Sequence, residues 1–412
     1  MRQGKLSVEQ YHDYLYRKLR EIIDHHYRNS PATKQRMDAC GIAPSDIKTL
    51  DDLEKLPLLA KDEMVRLQAE NPPFAGFLGQ PLEEQQKVYI SPGPLYDTCD
   101  HEQVLEAFAE SMEPLKVGKG DKIINTFSYH MVPLAHWLDD AARRRGATII
   151  PTGTGSSELQ VKLMHDLGVT GYLGTGRFLD TLIKKAEELG YDFRRDFRLR
   201  FWYGGADPTS EATKRKFTED YGIERIEIYG TAELAIVAYE CQYHNGWHVV
   251  KHMIAEILDP VTRKRLGPGE IGEVVCTAFD KSYALIRFCT GDLSRYQDTP
   301  CPCGDVAPRL MGFLGRVGEA IKVRGMFVHP ENVREALAKF PQLTKCQLVI
   351  NQVGGKDVVL LKVEGTYEES ISQEIYKRFP EVCRVRLDNV EFLSPGTIPA
   401  DAKVVLDQRT WE

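Results

Sequence analysis

Three short segments, far apart in the chain, carry side chains that suit a nucleotide and its phosphates. In Tyr229-Gly230-Thr231-Ala232-Glu233, an aromatic ring can stack on a purine and a hydroxyl can donate to a phosphate. Glu233 can hold Mg²⁺ against that phosphate, because Mg²⁺ combines a carboxylate with phosphate oxygens. In Thr290-Gly291-Asp292-Leu293, a carboxylate behind a glycine can accept both hydroxyls of a ribose. Arg316, after Gly315, can neutralise phosphate charge, and Lys322 lies beyond it in Lys322-Val323-Arg324-Gly325. Gly318, between the two cations, can absorb a large change of backbone angle. Each segment also has a plainer reading: a strand-end Tyr with a helix-capping Thr, a turn Asp, a solvated basic linker. Their order, each at an expected strand-to-turn junction, favours one nucleotide site over three unrelated turns.

A second constellation is rich in sulfur. Cys241, followed by His244 and His248, and the pair in Cys301-Pro302-Cys303 offer three thiolates and an imidazole. That donor set makes a closed tetrahedral zinc site, with His248 the preferred fourth ligand and a structural role. The alternative is a group of free surface cysteines. The nine cysteines are too sparse and uneven for a disulfide framework, so the expected compartment is reducing and cytoplasmic. Cys276, Cys289 and Cys346 fall in apolar stretches and are expected in the core.

The elements that must position these residues follow from length and pattern. A chain of 412 residues exceeds the size at which one core stops growing, so two domains are expected. With 42% apolar and 27% charged residues the composition is that of an ordinary globular protein. A net charge of -7 argues against a nucleic-acid or anionic-membrane partner. No apolar run of membrane-spanning length and no signal peptide are read in the sequence. Val8 to His26 reads as a helix with apolar residues at Tyr11, Leu15, Leu19 and Ile22. From about residue 100, helices alternate with strands: Lys122 to Phe127, Ala147 to Ile150, Gly171 to Leu173, Arg198 to Tyr203, Ile226 to Tyr229. Such alternation predicts a doubly wound, mostly parallel sheet with ligands beyond the strand C-termini. The loop Gly204-Gly205-Ala206-Asp207-Pro208 lies at that edge, as does Gly230. From about 247 the pattern turns strand-rich (Trp247 to Leu258, Gly272 to Thr277, Ala284 to Phe288), which suggests an antiparallel subdomain closing over the crevice. The fold class is thus α/β: a multi-layer large domain over residues 1–314, with an α/β core at about 85–245 and a strand-rich part at 246–314, then a small, mobile α+β domain over 315–412. Tyr129, His130, Trp137 and the loop at Gly153 follow strands pointing at the crevice, and aromatic residues there suit a small aryl acid. Core packing is an equal account of Trp137.

The combination of Gly205-Ala206-Asp207-Pro208, Tyr229 to Glu233, Thr290-Gly291-Asp292, Gly315-Arg316 and Ile321 to Gly325 resembles the adenylate-forming superfamily. Asn125 to Tyr129, Val169 to Thr175, Cys301 to Gly304 and Val328-His329-Pro330-Glu331 narrow the resemblance to the phenylacetate–CoA ligase branch, from about residue 85 to the end. The resemblance implies ATP and AMP binding, Mg²⁺, coenzyme A and a small carboxylic acid substrate. The acid is joined to AMP with loss of pyrophosphate, and a thiol then displaces AMP. It implies that Tyr229 packs on adenine, Thr231 meets phosphate, Glu233 holds Mg²⁺, Asp292 holds ribose and Arg316 meets phosphate. Gly205, Ala206, Asp207, Gly230, Lys322 and Gly325 join the nucleotide set, and Tyr129, His130 and Gly153 the acyl side.

The chain departs from the family pattern in places. The phosphate loop falls on Ile90-Ser91-Pro92-Gly93-Pro94-Leu95-Tyr96, where Ser91 is kept, two prolines remove amide donors, and no lysine is present. At the C-terminal end Asp401 takes the place of the family's lysine, and Lys403, two residues later on the same face of an expected strand, is the substitute. Gly318 stands where the hinge often has an acid. Two other readings stay open: adenylation with a different acyl acceptor, and a nucleotide-binding protein without catalysis. The sequence also leaves room for a homodimer.

Overall fold

The computed structural model describes residues 6–90, 95–207, 209–318, 321–324, 326–353 and 356–409. Ser91, Pro208 and Gly325, the prolines at 92 and 94, and the side chain of Lys322 lie outside the described residues. By internal contacts the chain divides into two units. One is Met1–Thr290 with Arg295–Gly312; the other is Gly291–Ser294 with Phe313–Glu412.

The first unit is built on a nine-stranded sheet. Five strands run parallel in the spatial order Thr148–Pro151, Lys122–Asn125, Gly171–Leu173, Phe201–Gly205, Glu224–Thr231. Their side chains alternate between two buried faces. Ile123, Leu173, Phe201 and Tyr203 pack on one side, and Ile124, Tyr172 and Trp202 on the other. A strand buried on both faces has no polar side to show, which is why these segments read as continuous apolar runs. The helices between them are amphipathic: Leu134–Arg144 buries Ala135, Trp137, Leu138, Ala141 and Ala142, one face at helical spacing. Helix Gly176–Glu188 starts where the Thr175 side chain accepts from the Phe178 amide.

The sheet reverses at the hairpin from Glu224–Thr231 to Ala235–Glu240. That leaves an antiparallel edge onto which Trp247–Val249, Arg309–Leu310 and Tyr296–Gln297 add in turn. The antiparallel residues are therefore distributed over two sheets. Met253–Leu258, Gly272–Ala278 and Phe288–Ser294 form a four-stranded sheet with Leu59–Ala60 at its edge. The stretch expected as one strand from Trp247 to Leu258 is two strands in different sheets. Val250 still bonds to the large sheet through Val237, whereas the His252 carbonyl accepts from the Phe279 amide beside the smaller sheet. The strand expected at Ala284 to Phe288 begins instead at Phe288 and runs to Ser294. Asp280 explains the shift: its carboxylate accepts from the Ser282 and Tyr283 amides and holds that segment as a turn. Thr290-Gly291-Asp292 thus lies inside a strand, not after one.

The N-terminal helix Val8–Asn29 carries a capping box between Ser7 and Gln10 and buries Tyr11, Leu15, Leu19 and Ile22. In the second unit, strands Asn389–Leu393, Lys356–Glu364, Lys345–Val353 and Val405–Asp407 form one sheet in that order. Helices Pro330–Leu337 and Glu369–Cys383 supply Val333, Ala336, Ile371, Ile375 and Phe379 to its core. Among the described residues, no helix is long and apolar enough to cross a membrane.

Trp202 fixes the C-terminal edge of the parallel strands. It is fully buried, and its indole Nε1–H donates to the Gly174 carbonyl at 2.9 Å. We expect Trp202→Phe to lower stability by about 2 kcal/mol or more, from the lost volume and the unpaired carbonyl. The urea midpoint of the first unfolding transition is the measurement, and an unchanged midpoint would contradict this packing.

Candidate functional site

The loops that follow the parallel strands collect the expected residues. Phe201–Gly205 leads into Ala206, which takes a left-handed φ of +68°, and Asp207, whose carboxylate lies 3.4 Å from Arg177. Arg177 is largely in solvent and Asp207 about a third exposed, so the pair contributes little. Glu224–Thr231 does not end at Tyr229; it continues to Thr231 through a register shift between Tyr229 and Gly230. The need for glycine at 230 is close approach rather than unusual φ, because a Cβ there would overlap the Ala235 carbonyl.

The tight hairpin places each motif side chain. One face of the buried Tyr229 ring lies flat against Trp247, with centroids 5.7 Å apart and planes 7° apart. The Tyr229 hydroxyl donates to Thr290 Oγ1 at 3.4 Å, and Thr290 in turn donates to the Val274 carbonyl at 2.8 Å. This chain of bonds ties the large sheet to the four-stranded one. Thr231 Oγ1 accepts from the Leu234 amide, so the hydroxyl caps the hairpin turn.

Glu233, in that turn, has only 1% of its side chain exposed, and its Oε1 lies 2.8 Å from the Lys61 ammonium. Asp97 is buried in the same neighbourhood, and neither carboxylate oxygen has a hydrogen-bond partner. Burial first, and the Glu233 charge second, push the Asp97 carboxyl well above its ordinary range; Lys61 opposes them. No motif in the sequence marks Lys61 or Asp97. The one signal is position: Asp97 follows the proline-containing loop, and Lys61 opens the helix Lys61–Glu70.

In the second unit, Asp292 and Arg316 face each other across an isolated antiparallel bridge and pair at 3.4 Å. The Leu293 amide donates to the Gly315 carbonyl and the Val317 amide to the Gly291 carbonyl, so the two segments are zipped together. The Asp292 side chain is 9% exposed and the Arg316 side chain 70%. Lys403 does not lie in a strand. The strand is Val405–Asp407, preceded by a turn in which the Ala402 amide donates to the Pro399 carbonyl. The period-two argument linking Asp401 to Lys403 therefore does not hold. Lys403 is exposed, and its carbonyl accepts from Gln347.

On the expected acyl side, the Tyr129 hydroxyl donates to Asp139, whose Oδ1 also accepts from Asn125 Nδ2 at 2.7 Å. Burial pushes both the Tyr129 phenol and the Asp139 carboxyl up, so the phenol stays a donor. The Tyr129 ring packs edge-on to His136 and lies over Gly153, which has φ +61°. His130 is exposed, and Trp137 is core, between Tyr89 and Phe108. Asp139, which positions Tyr129, went unread because a lone Asp on a helix carries no signal.

Cys241, His248, Cys301 and Cys303 present ligand atoms that all lie within 4.8 Å of one another. Cys241 and Cys301 sulfurs are 3.7 Å apart, and Cys303 Sγ is 3.4 Å from His248 Nε2. Tetrahedral zinc with bonds of about 2.3 Å to sulfur needs S···S edges of roughly 3.8 Å. Cys241 directly follows Ala235–Glu240, and His248 sits on the neighbouring strand opposite Tyr239. His244 is engaged elsewhere, 3.2 Å from Glu240. Buried Arg309 donates to the Asn245 and Thr299 carbonyls and so fixes the loops that bring the cysteines in.

The AMP-binding enzyme family matches residues 100–278. The phenylacetate-coenzyme A ligase of Pseudomonas putida is 29% identical over 373 residues, 87% of this chain and 82% of that one. That of Escherichia coli (strain K12) is 28% identical over 391 residues, 92% of this chain and 87% of that one. A 2-hydroxyisobutyryl-CoA ligase in an open conformation, in complex with 2-HIB-AMP and CoA, shares the fold. Its TM-score is 0.86 at 22% identity, covering 98% of this chain and 93% of that one. The amide bond synthetase McbA from Marinactinospora thermotolerans is a more distant fold relative, with a TM-score of 0.54. Residues 100–278 thus match the AMP-binding enzyme family, and the fold is shared with the 2-hydroxyisobutyryl-CoA ligase. Along most of its length the chain resembles the phenylacetate-coenzyme A ligases, at 27–29% identity.

Two glycine substitutions separate the constraints named above. Gly230→Ala drives a Cβ into the Ala235 carbonyl and should cost about 3 kcal/mol. Gly291→Ala meets open space and carries only the penalty of its φ of +75°, about 1–2 kcal/mol. Urea midpoints of the two variants should fall in that order; the reverse order would contradict the close-approach argument.

Proposed function

We propose that the protein is an AMP-forming acid–thiol ligase that activates a small aromatic carboxylic acid and transfers it to coenzyme A. The observation that carries the proposal is the hairpin at 229–233. It gathers an aromatic ring, a hydroxyl and a buried carboxylate at the C-terminal edge of the parallel strands. The phenylacetate-coenzyme A ligases it resembles along most of its length support the same reading.

In the first step a carboxylate oxygen attacks the α-phosphorus of ATP, the bond to the bridging oxygen breaks, and pyrophosphate leaves. In the second the coenzyme A sulfur attacks the acyl carbon, the carbon–oxygen bond to AMP breaks, and the thiol proton passes to solvent. The protein's part is positioning and charge stabilisation. Tyr229 and Thr231 bound the nucleotide and Asp292 accepts from its ribose. Arg316 and Lys403 offset phosphate charge, and Ser91, Gly205, Ala206, Asp207, Lys322 and Gly325 complete the nucleotide contacts. Tyr129, His130 and Gly153 bound the acid. A buried carboxylate that already attracts an ammonium fits Mg²⁺, and Glu233 would hold it. The ion would neutralise phosphate oxygens as charge builds on the leaving group.

Cys241, His248, Cys301 and Cys303 would hold a structural zinc, since three sulfurs and one imidazole at tetrahedral spacing suit that metal. Burial pushes the Cys241 thiol up to about 12, and a cation amid the sulfurs reverses that cost. The zinc would staple the strand ends around Arg309.

ATP–pyrophosphate exchange over a panel of carboxylic acids tests the activity. Exchange should depend on an aromatic acid, and AMP release should rise when coenzyme A is added; no acid-dependent exchange would contradict the proposal. Glu233→Ala should cut exchange by about a hundredfold, near 2.7 kcal/mol, with the fold intact; full activity would remove the metal role. For the zinc, elemental analysis should find one ion per chain, and both a chelator and Cys303→Ser should lower the melting midpoint. A metal-free protein of unchanged stability would dismiss the staple.

A further inference from the structure

The Ile90–Tyr96 loop offers no lysine, although two leaving phosphates need a cation. The first unit places one elsewhere. Leu59–Ala60 runs parallel to Phe288–Ser294, with Ala60 opposite Cys289, so Lys61 emerges beside Thr290. Thr290 is also the residue that bonds Tyr229. From there the Lys61 ammonium reaches Glu233 at 2.8 Å. The pair is asymmetric: the carboxylate side chain is 1% exposed and the lysine 38%, so the ammonium has an open side.

We infer that Lys61 is a phosphate-binding cation of this site. It holds Glu233 while no nucleotide is bound, and turns to the β- and γ-phosphates of ATP once Mg²⁺ takes the carboxylate. The inference rests on the nucleotide reading above and adds to it the residue that supplies the missing charge. Its chemistry is simple exchange of partners. A buried carboxylate without a cation is costly, so Glu233 keeps one throughout. A lysine stem has four rotatable carbons and a compact charge, which suits a short swing between two anionic partners. Arg177, the cation paired with Asp207, is 72% exposed and less held.

The test is binding, read by calorimetry on the full chain. The titrants are the α,β-methylene analogue of ATP with Mg²⁺, which cannot lose pyrophosphate, and separately AMP, which lacks the β- and γ-phosphates. Lys61→Met and Lys61→Gln should bind the ATP analogue at least tenfold more weakly than wild type, with AMP affinity within about twofold. Lys61→Arg should stay within about threefold for both. Unchanged analogue affinity in the neutral variants, or a parallel loss of AMP binding, would overturn the inference, because a merely structural lysine moves both or neither. A wild-type protein that binds neither ligand would instead defeat the nucleotide reading on which this rests.

Discussion

A carboxylate buried at the turn of a hairpin needs a positive partner, and much of this site can be understood from that need. Glu233 is shielded from water by the same close packing that lets Ala235 approach Gly230. An isolated charge there would cost several kcal/mol, so the fold brings Lys61 from an edge strand to meet it. Asp97, buried nearby, has its carboxyl pushed well above the ordinary range by the same burial. Two buried carboxylates and one ammonium thus gather at this turn. That arrangement is what separates this turn from an ordinary hairpin.

The hairpin also decides the architecture. Up to Thr231 the sheet is parallel and buried on both faces; beyond Ala235 it is antiparallel and takes in strands from residues 247–310. The sulfur–imidazole cluster lies at the far end of that second half, where Cys241 leaves one strand and His248 enters the next. The sulfur–imidazole cluster and the Glu233 turn thus lie at two ends of the same strand, Ala235–Glu240.

The parallel half was legible in the sequence because its signals are local. Ile123-Ile124, Tyr172-Leu173 and Phe201-Trp202-Tyr203 are apolar runs between helices with one apolar face, and their positions fall within a few residues of the observed strands. The strand-rich half was harder. Trp247 to Leu258 has uniform strand character, and nothing local says that the chain changes sheets at His252. Ala284 to Phe288 looked like a strand because its residues are apolar, but Asp280 bonds the preceding amides into a turn and the strand starts later. The strand geometry expected of Lys403 is absent, since the Ala402 amide bonds back to the Pro399 carbonyl and keeps that segment in a turn. Of the candidate residues, the 229–233 group was legible from its order with the other motifs and from the family resemblance, and the Cys/His group from its donor set and spacing. Lys61, Asp97 and Asp139 were not, because a tertiary ion pair or hydrogen bond leaves no mark on the local sequence.

The central claim is that the cleft-edge hairpin serves a nucleotide carrying an activated acyl group. It is tested most directly by isothermal titration of the purified, folded chain with a non-hydrolysable acyl-AMP mimic bearing an arylacetyl group. The account predicts saturable binding of one mimic per chain, tighter than AMP alone. Absence of heat on a sample shown to be folded would contradict it.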